Sequence, residues 1–463
     1  MPDNVIHAQP PLGFVPPNLQ PGVVRAVGSL MPLVMKLRTP IAEVEATHPE
    51  RLAELYRDFE NGKARFLIAF RHSTVHDPFP IWHLLSRIVP SAARERSIAL
   101  RNMTHTYFLY DRGVPLAAGR AVGWLLPRAG GISVQRGKLD RMSLKTARDK
   151  FANGDQPMAV APEGATNGLN EVVSPLEPGV AQLAFWCLDD LRSKNRTEKV
   201  YIVPLGIQYR YMGEPWQAID EVLAGLEVEC GLSAGTSSDR YARLTRIGEH
   251  LLSVLEDYYH RFYQQELSAS PGDLGTRLHN LLEAALRTSE EYFAIQARGS
   301  ITDRCRRIEQ AGWDRIYRED LKGQTLSAVQ RGLADRLAEE ADRRMWHMRI
   351  VEAFVAVSGS YVRENPTADR FAETTNLLYK TIQRLKGTPT FHPPALGKQR
   401  ARMDVGEPIL IDERYADYTS SRQGARQAVA DLTQTLQHTL EAMARRSSPA
   451  EPLPPAISST AGD

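Results

Sequence analysis

Short apolar segments that alternate with helical patterns are the feature that most constrains the fold of this chain. Helical spacing of apolar residues, as in residues 138–152 and 179–194, separates the strand-like runs. The strand-like runs lie at residues 65–70, 106–109, 131–135, 157–161 and 200–208. Strands that are connected through a helical crossover pair in parallel. The sequence therefore predicts an α/β fold with a mixed, largely parallel sheet flanked by helices.

Long helical patterns dominate the chain after residue 215. They lie at residues 240–265, 274–297, 326–357 and 370–385, and a strand-like run at 401–411 and a helix at 422–445 follow them. Because strand-like sequence returns only after these helices, they are predicted to form a large all-helical insertion. The aromatic run at residues 258–263 suits either an interface or the interior of a helical bundle, and the interior is favoured.

Five divisions of the chain follow from these patterns. Residues 1–45 are predicted to be a lead-in, 46–215 the α/β core, 216–395 the helical insertion, 396–446 the closing strand with a C-terminal helix, and 447–463 a disordered tail. The tail is rich in proline and small polar residues, which favours disorder. In the lead-in, the mostly apolar residues 22–35 precede Lys36 and Arg38. This segment is either a helix packed on the core or an interfacial segment at a membrane surface.

The overall composition excludes several classes of protein. With 57 Lys+Arg against 55 Asp+Glu, the net charge of +2 argues against a protein that coats nucleic acid. Cys187, Cys230 and Cys305 show neither a disulfide framework nor zinc-ligand spacing, so a reducing compartment and no metal are expected. The N-terminus lacks the regions of a signal peptide, and no apolar stretch reaches the roughly 18 residues of a spanning helix. A cytoplasmic chain without a membrane span is expected.

A histidine and an aspartate, His72 and Asp77, lie five positions apart at the exit of the strand at 65–70. In a general base one ring nitrogen is held by an acceptor, so that the other can take a proton from a hydroxyl group. His72 with Asp77 across the turn fits this role, and His76 within the turn is the alternative base. Asp77 followed by Pro78 is also the pattern of a helix N-cap with proline at N1.

Three further elements lie at the ends of predicted strands. Arg136 ends one strand, where it can clamp a phosphate or serve only as a surface arginine. Pro162, Glu163 and Gly164 follow the next strand, and the glycine permits a tight turn, although an ordinary strand-end turn has the same pattern. Pro204 interrupts the strand at 200–208, which suits a strand end or a sheet edge. Because open α/β sheets build their sites at strand ends, the elements are predicted to share one site.

In this order the elements resemble the sequence blocks of the glycerolipid acyltransferase family, typified by lysophosphatidate acyltransferase. That family has a His-x4-Asp, a strand ending in Arg, a Pro-Glu-Gly-Thr-Arg and a Val-Pro strand. The corresponding segments here are His72–Asp77, Ile132–Arg136, Pro162–Gly164 and Ile202–Pro204. The likeness covers about residues 50–212, and residues 405–409 resemble the family's closing Gly-x-Pro strand.

The resemblance implies that His72 is the general base and that Asp77 orients it. The acceptor hydroxyl would attack an acyl thioester directly, without an acyl-enzyme, and Arg136 would hold the polar head of the acceptor beside the Pro162–Gly164 turn. The co-substrate would be acyl-CoA or acyl carrier protein, with no bound cofactor. The implied partners are a lipid acceptor, the inner face of a membrane as a peripheral surface, and acyl carrier protein where that is the donor.

The chain departs from the family pattern at three places. Arg71 stands where the family usually has Asn, residues 165–167 replace Thr-Arg, and Glu177 stands where a second basic residue is frequent. Two phosphate-facing cations are therefore missing, and each lost charge-assisted contact costs about 1.5–3 kcal/mol. Arg71, Arg128 and Lys138 are the candidate replacements in substrate binding. The expected acceptor is a lysophospholipid or another glycerolipid or polar lipid.

Two other functions fit the same residues. A degenerate acyltransferase core can serve as a non-enzymatic lipid-binding or scaffold protein, which would not need His72. A hydrolase of thioesters or lipids needs the same base but releases the acyl group to water, so its activity would not depend on an acceptor.

Overall fold

The computed structural model describes residues 6–135, 140–233, 239–267, 273–323, 326–354, 360–390 and 392–446. The tail predicted to be disordered, residues 447–463, lies outside these ranges. Within them, eight strands form one sheet. The strands are β1 (Ile41–Thr47), β2 (Ala64–Phe70), β3 (Tyr107–Asp111), β4 (Gly131–Val134), β5 (Met158–Val160), β6 (Lys199–Tyr211), β7 (Gln399–Val405) and β8 (Ile409–Leu410).

The order of the strands in the sheet is β1-β7-β6-β2-β5-β3-β4. Strands β2 to β6 are mutually parallel, whereas β7 and β8 run antiparallel to β6 and β1 pairs in parallel with β7. The predicted fold class, a mixed and largely parallel sheet with helices, is confirmed.

The helices fall into three groups along the chain. The first group is α1 (Pro21–Arg38), α2 (Pro49–Glu60), α3 (Pro78–His83), α4 (Val89–Glu95), α5 (Val114–Ala118), α6 (Arg120–Arg128), α7 (Arg141–Asn153) and α8 (Gly179–Ser193). The insertion contributes α9 (Trp216–Glu229), α10 (Arg240–Tyr263), α11 (Leu274–Phe293), α12 (Ile301–Ile316), α13 (Ala328–Phe354), α14 (Tyr361–Glu364) and α15 (Ala368–Leu385). The chain then forms α16 (Tyr415–Ser420) and α17 (Arg422–Arg446). Among the described helices, none has both the length and the apolar character that crossing a bilayer requires.

Alternate residues of β2 pack on opposite faces of the sheet, as strand geometry dictates. Leu67 belongs to the core under α7, α8 and α17, together with Phe185 and Leu432. Its neighbours Phe66 and Ile68 belong to the core on the other face, under α2 and α4. β2 is therefore covered on both faces, which explains its continuous apolar sequence.

Two boundaries differ from the sequence prediction. Strand β1 spans Ile41–Thr47, so the division at residue 45 falls inside a strand of the sheet. The strand predicted at 401–411 is two strands, because residues 406–408 leave the ladder and Pro408 has no N–H to donate. The Gly406 N–H donates instead to the Pro204 carbonyl oxygen at 2.9 Å.

Helix α1 occupies the apolar part of the lead-in and has two different faces. Its buried residues pack against α3, and at Gly28 an added Cβ would lie 3.2 Å from the Ser86 Cβ. The opposite face exposes Leu30, Leu33 and Leu37, which are 55%, 55% and 70% accessible. Helix α1 is therefore packed on the core by one face, and its other face is apolar and exposed.

The helical insertion connects β6 to β7. Because β6 is parallel to β2, the insertion begins at the edge of the sheet where β2 also ends. Its helices α10 to α13 bury a core of their own, in which Tyr259 is fully buried and its hydroxyl lies 2.7 Å from His347 Nδ1. The bundle-interior interpretation of residues 258–263 is thus confirmed for Tyr259, whereas Phe262 is exposed.

Candidate active site

The carboxyl end of β2 is the centre of the candidate site. β2 lies between β5 and β6, and the chain leaves it through Arg71, whose N–H donates to the Leu205 carbonyl oxygen at 2.9 Å. It then turns through residues 72–77 and enters α3 at Pro78. The loops after β2 and β5 and the extended end of β6 therefore meet at one edge of the sheet.

His72 and Asp77 form a hydrogen-bonded pair in this turn. Asp77 Oδ2 accepts from His72 Nδ1 at 2.8 Å and from the Thr74 N–H at 3.0 Å. The aspartate side chain is fully buried, whereas a quarter of the His72 side chain is accessible. With the ring proton assigned to Nδ1 by this bond, Nε2 has no hydrogen-bond partner among the described residues. His72 is therefore oriented as a general base requires.

A tyrosine on β6 supports Asp77 from another direction. The Tyr209 hydroxyl donates to Asp77 Oδ1, and burial raises the pKa of Tyr209 well above its usual value, which keeps the hydroxyl protonated. Asn170 holds the Tyr209 backbone through two hydrogen bonds of 2.9 Å. Both oxygens of the buried Asp77 carboxylate are thus paired, as a buried charge requires.

The sequence left open two alternatives, an N-cap role for Asp77 and His76 as the base. Asp77 occupies the N-cap position of α3, but its side chain makes no capping hydrogen bond there. The His76 ring stacks on His392, with 5.9 Å between ring centroids, and makes no hydrogen bond to a carboxylate within the described ranges. Burial lowers the pKa of His76. Of the two histidines, His72 is the one held by an aspartate.

A cavity of about 3600 Å³ lies beside His72, between the α/β core and the helical insertion. Apolar side chains from α1, α6 and α8 line one part of it, including Met31, Leu125 and Leu183. His72 and the Pro162–Gly164 turn line it at the sheet edge. The cavity therefore places an apolar volume and a candidate base in one space.

Residues 43–208 match the family model described as Acyltransferase. They form an acyltransferase domain. This domain is that of the glycerolipid acyltransferase family. The match begins within β1 and ends within β6, and it includes His72, Asp77 and the Pro162–Gly164 turn. No curated protein and no solved structure matched the chain.

Arg71 has a structural position in the acyltransferase domain, which contradicts its prediction as a contact for the acceptor head group. Its side chain is 1% exposed and does not line the cavity. The guanidinium donates to Glu163 Oε1 at 3.3 Å and to three backbone carbonyl oxygens at 2.6–2.8 Å. These carbonyls belong to Leu169, Asn170 and Val172. Arg71 thus holds the loop after β5 against the sheet.

Glu163 is the buried partner of Arg71 and also fixes the backbone of the candidate base. Its Oε1 accepts from the His72 N–H at 2.8 Å, and its Oε2 accepts from the Ser174 N–H at 2.9 Å. Glu163 therefore acts through the position of His72, in addition to lining the cavity.

Gly164 is required by the geometry of its turn. Its φ of +73° favours glycine, and an added Cβ would lie 1.9 Å from Glu177 Oε1. The same Glu177 oxygen pairs with Arg306 of α12 at 2.6 Å. Where the family frequently has a basic residue, this chain therefore has a carboxylate that is bridged by an arginine from the insertion.

The remaining residues that the sequence predicted at the site are Arg128, Arg136, Lys138 and Pro162. Arg128 ends α6, stacks over the Trp124 ring at 4.4 Å and donates to the Trp124 carbonyl oxygen, outside the cavity lining. Its role as a substrate contact stays a prediction, because the described contacts of its guanidinium are with Trp124. Arg136 and Lys138 lie outside the described residues. Pro162 lines the cavity, and its carbonyl oxygen accepts from the Glu177 N–H at 2.8 Å.

Several residues of the site lie outside the four sequence blocks that resemble the family, and the sequence did not indicate them. Tyr209 and Asn170 order the Asp77 side, and Glu373 of α15 accepts from the Asn170 side chain at 2.6 Å and from the Tyr361 hydroxyl. Burial raises the pKa of Glu373 to about 7. Among the described residues, no group of three or more His, Cys, Asp or Glu side chains is arranged to hold a metal ion.

Proposed function

We propose that the protein transfers a fatty acyl group from an acyl thioester to a hydroxyl group of a lysophospholipid or another polar glycerolipid. The observation that carries the proposal is the His72 Nδ1–Asp77 Oδ2 hydrogen bond of 2.8 Å, which leaves Nε2 available beside the cavity. The acyltransferase domain supports acyl transfer in general. The donor, acyl-CoA or acyl carrier protein, and the lipid acceptor are parts of the proposal.

The proposed reaction needs one base and no covalent intermediate. His72 Nε2 takes the proton of the acceptor hydroxyl as its oxygen bonds to the thioester carbonyl carbon. The C–S bond then breaks, the thiolate leaves, and the imidazolium returns the proton to the sulfur. Asp77 stabilises the transient imidazolium, and Tyr209 and the Thr74 N–H keep that carboxylate in place. The apolar lining from α1, α6 and α8 suits the acyl chain.

The purified protein tests the proposal when it is incubated with acyl-CoA or acyl carrier protein thioesters and a panel of lysolipids. We expect free thiol and an acylated lipid to appear together, in equal amounts and only when the acceptor is present. Mass spectrometry of the lipid and titration of the thiol measure the two products. Thiol release that is independent of the acceptor would instead identify a hydrolase. No thiol release with or without an acceptor would count against both the acyltransferase and the hydrolase.

We further propose that the protein binds the cytoplasmic face of a membrane peripherally through α1. The outer face of this helix exposes Leu30, Leu33 and Leu37 beside Lys36 and Arg38, which are exposed too. Leu30 and Leu37 also line the cavity, so this face adjoins the space proposed for the acyl chain. Apolar side chains with flanking cations are the features of an interfacial helix.

Replacing Leu33 and Leu37 by aspartate is expected to weaken binding to vesicles of phosphatidylcholine and phosphatidylglycerol by about 10-fold per residue, because each leucine loses its apolar burial. Co-sedimentation with the vesicles measures the partition. The matched control is Val329→Asp with Leu333→Asp, since these apolar residues of α13 are also largely exposed, at 74% and 68%. If both double variants bound the vesicles equally, α1 would not be the docking face.

A further inference from the structure

Helix α15 of the insertion turns a polar stripe toward the cavity. The stripe consists of the cavity-lining residues Glu373, Asn376, Lys380 and Arg384, which are spaced at three or four positions. Residues with this spacing lie on one face of a helix. The cavity therefore has a polar wall that belongs to the insertion, in addition to its apolar wall.

Two cations of this stripe have no ion-pair partner among the described residues. Neither Lys380 nor Arg384 makes an ion pair or a side-chain hydrogen bond with a described residue, although both are only partly accessible. By contrast, Lys386 at the end of the same helix pairs with Glu229 at 3.0 Å. Partial burial of a cation without a counter-ion is costly, so such a site favours an anionic ligand.

The carboxylates in the same part of the cavity do not supply this counter-ion. Asp342 pairs with Arg349 at 3.0 Å, and Glu373 is hydrogen-bonded to Tyr361 and Asn170. Glu352 attracts Arg384, but burial and the nearby Arg349 outweigh that attraction and lower the pKa of Arg384. Burial and the neighbouring Arg384 likewise lower the pKa of Lys380.

Asn376 of the stripe has a side-chain atom without a partner in the described part of the chain. The Asn376 amide oxygen is buried and has no hydrogen bond within the described part of the chain. Asn376 lies one helical turn from Lys380, and Lys380 is close enough to His76 to lower the pKa of that histidine. The stripe is therefore near the turn that carries His72.

We propose that Lys380 and Arg384 bind a phosphate group of a substrate in the cavity. The ligand is a phosphate monoester or diester, which both the head group of a lipid acceptor and the nucleotide of coenzyme A can supply. The inference rests on the proposed acyl transfer for its role in the reaction. The insertion would then supply cations that the sequence blocks of the core lack.

The test is the double variant Lys380→Gln with Arg384→Gln, compared with Lys386→Gln with Arg402→Gln. The control removes the same charge, and both of its residues lie outside the cavity lining. Kinetics compare acyl-CoA with the phosphate-free acyl N-acetylcysteamine thioester, and lysophosphatidate with monoacylglycerol. We expect kcat/KM to fall by about 10- to 100-fold for one phosphate-bearing substrate and not for its phosphate-free counterpart, and the affected pair identifies the source.

Binding of coenzyme A and of glycerol 3-phosphate, measured by calorimetry, separates this inference from the proposed function. Weaker binding of either probe to the Lys380/Arg384 variant supports the site even if no acyl transfer occurs. Equal binding and equal kcat/KM in both double variants would overturn the site while leaving acyl transfer intact. Failure of the wild type to bind either probe would also overturn it.

Discussion

Replacing His72 with alanine is expected to lower the rate of acyl transfer by about 10²- to 10⁴-fold, which is the usual contribution of a general base. The variant should still fold, because the buried Asp77 keeps the Thr74 N–H and the Tyr209 hydroxyl as partners. Turnover of a thioester donor with a lysolipid acceptor measures the effect, and thermal unfolding checks the fold. Asp77→Asn is expected to lower the rate as well, because it removes the charge that stabilises the imidazolium.

The neighbouring histidine provides the comparison for this prediction. His76 is in the same turn and also lines the cavity, but its ring stacks on His392 and is not held by a carboxylate among the described residues. His76→Ala should therefore reduce the rate much less than His72→Ala. The opposite ranking would make His76 the base. Unchanged transfer in both variants would show that neither histidine is the base.

The strands that carry the site were predictable because their sequences are apolar throughout. β2 and β6 are covered on both faces at their centres, so nearly every residue from 65 to 70 and from 200 to 208 is apolar. The ends of such strands could be located from the proline and glycine residues that follow. His72, Asp77 and the Pro162–Gly164 turn were therefore placed correctly at one edge of the sheet.

Strand β1 and helix α12 were missed although local signals exist. Residues 41–47 alternate between apolar and charged residues, which is the pattern of a half-buried strand, but their partner β7 begins more than 350 residues later. Helix α12 begins with a capping box formed by Ser300 and Asp303. The alternating pattern of β1 could not be assigned to the sheet without its distant partner. The capping box of α12 is local and could be identified from the sequence.

The roles of the arginines could not be predicted from residue type. Arg71 was interpreted as a contact for a head group, but it binds the carbonyl oxygens of a loop some 100 positions away. Backbone acceptors leave no trace in a sequence, so only the fold shows that this guanidinium is occupied. The same is true of Tyr209, which reaches Asp77 only because β6 extends beyond the end of β2.

Replacing Arg71 with methionine is expected to lower the free energy of unfolding by about 3–5 kcal/mol, as does breaking other buried ion pairs. The substitution leaves the Glu163 carboxylate buried without its cation. It also leaves the carbonyl oxygens of Leu169, Asn170 and Val172 without the donor that holds their loop. Urea unfolding followed by circular dichroism measures the loss.

Two further variants separate the buried pair from arginine loss in general. Arg128→Met removes a partly exposed arginine that stacks on Trp124, and it should cost less than about 1 kcal/mol. Adding Glu163→Gln to Arg71→Met removes the unpaired charge while keeping an acceptor for the His72 N–H, so part of the lost stability should return. If Arg71→Met unfolded no more easily than Arg128→Met, Arg71 would not be a structural residue. The Arg71 guanidinium would then be free for the head-group contact that its buried position argues against.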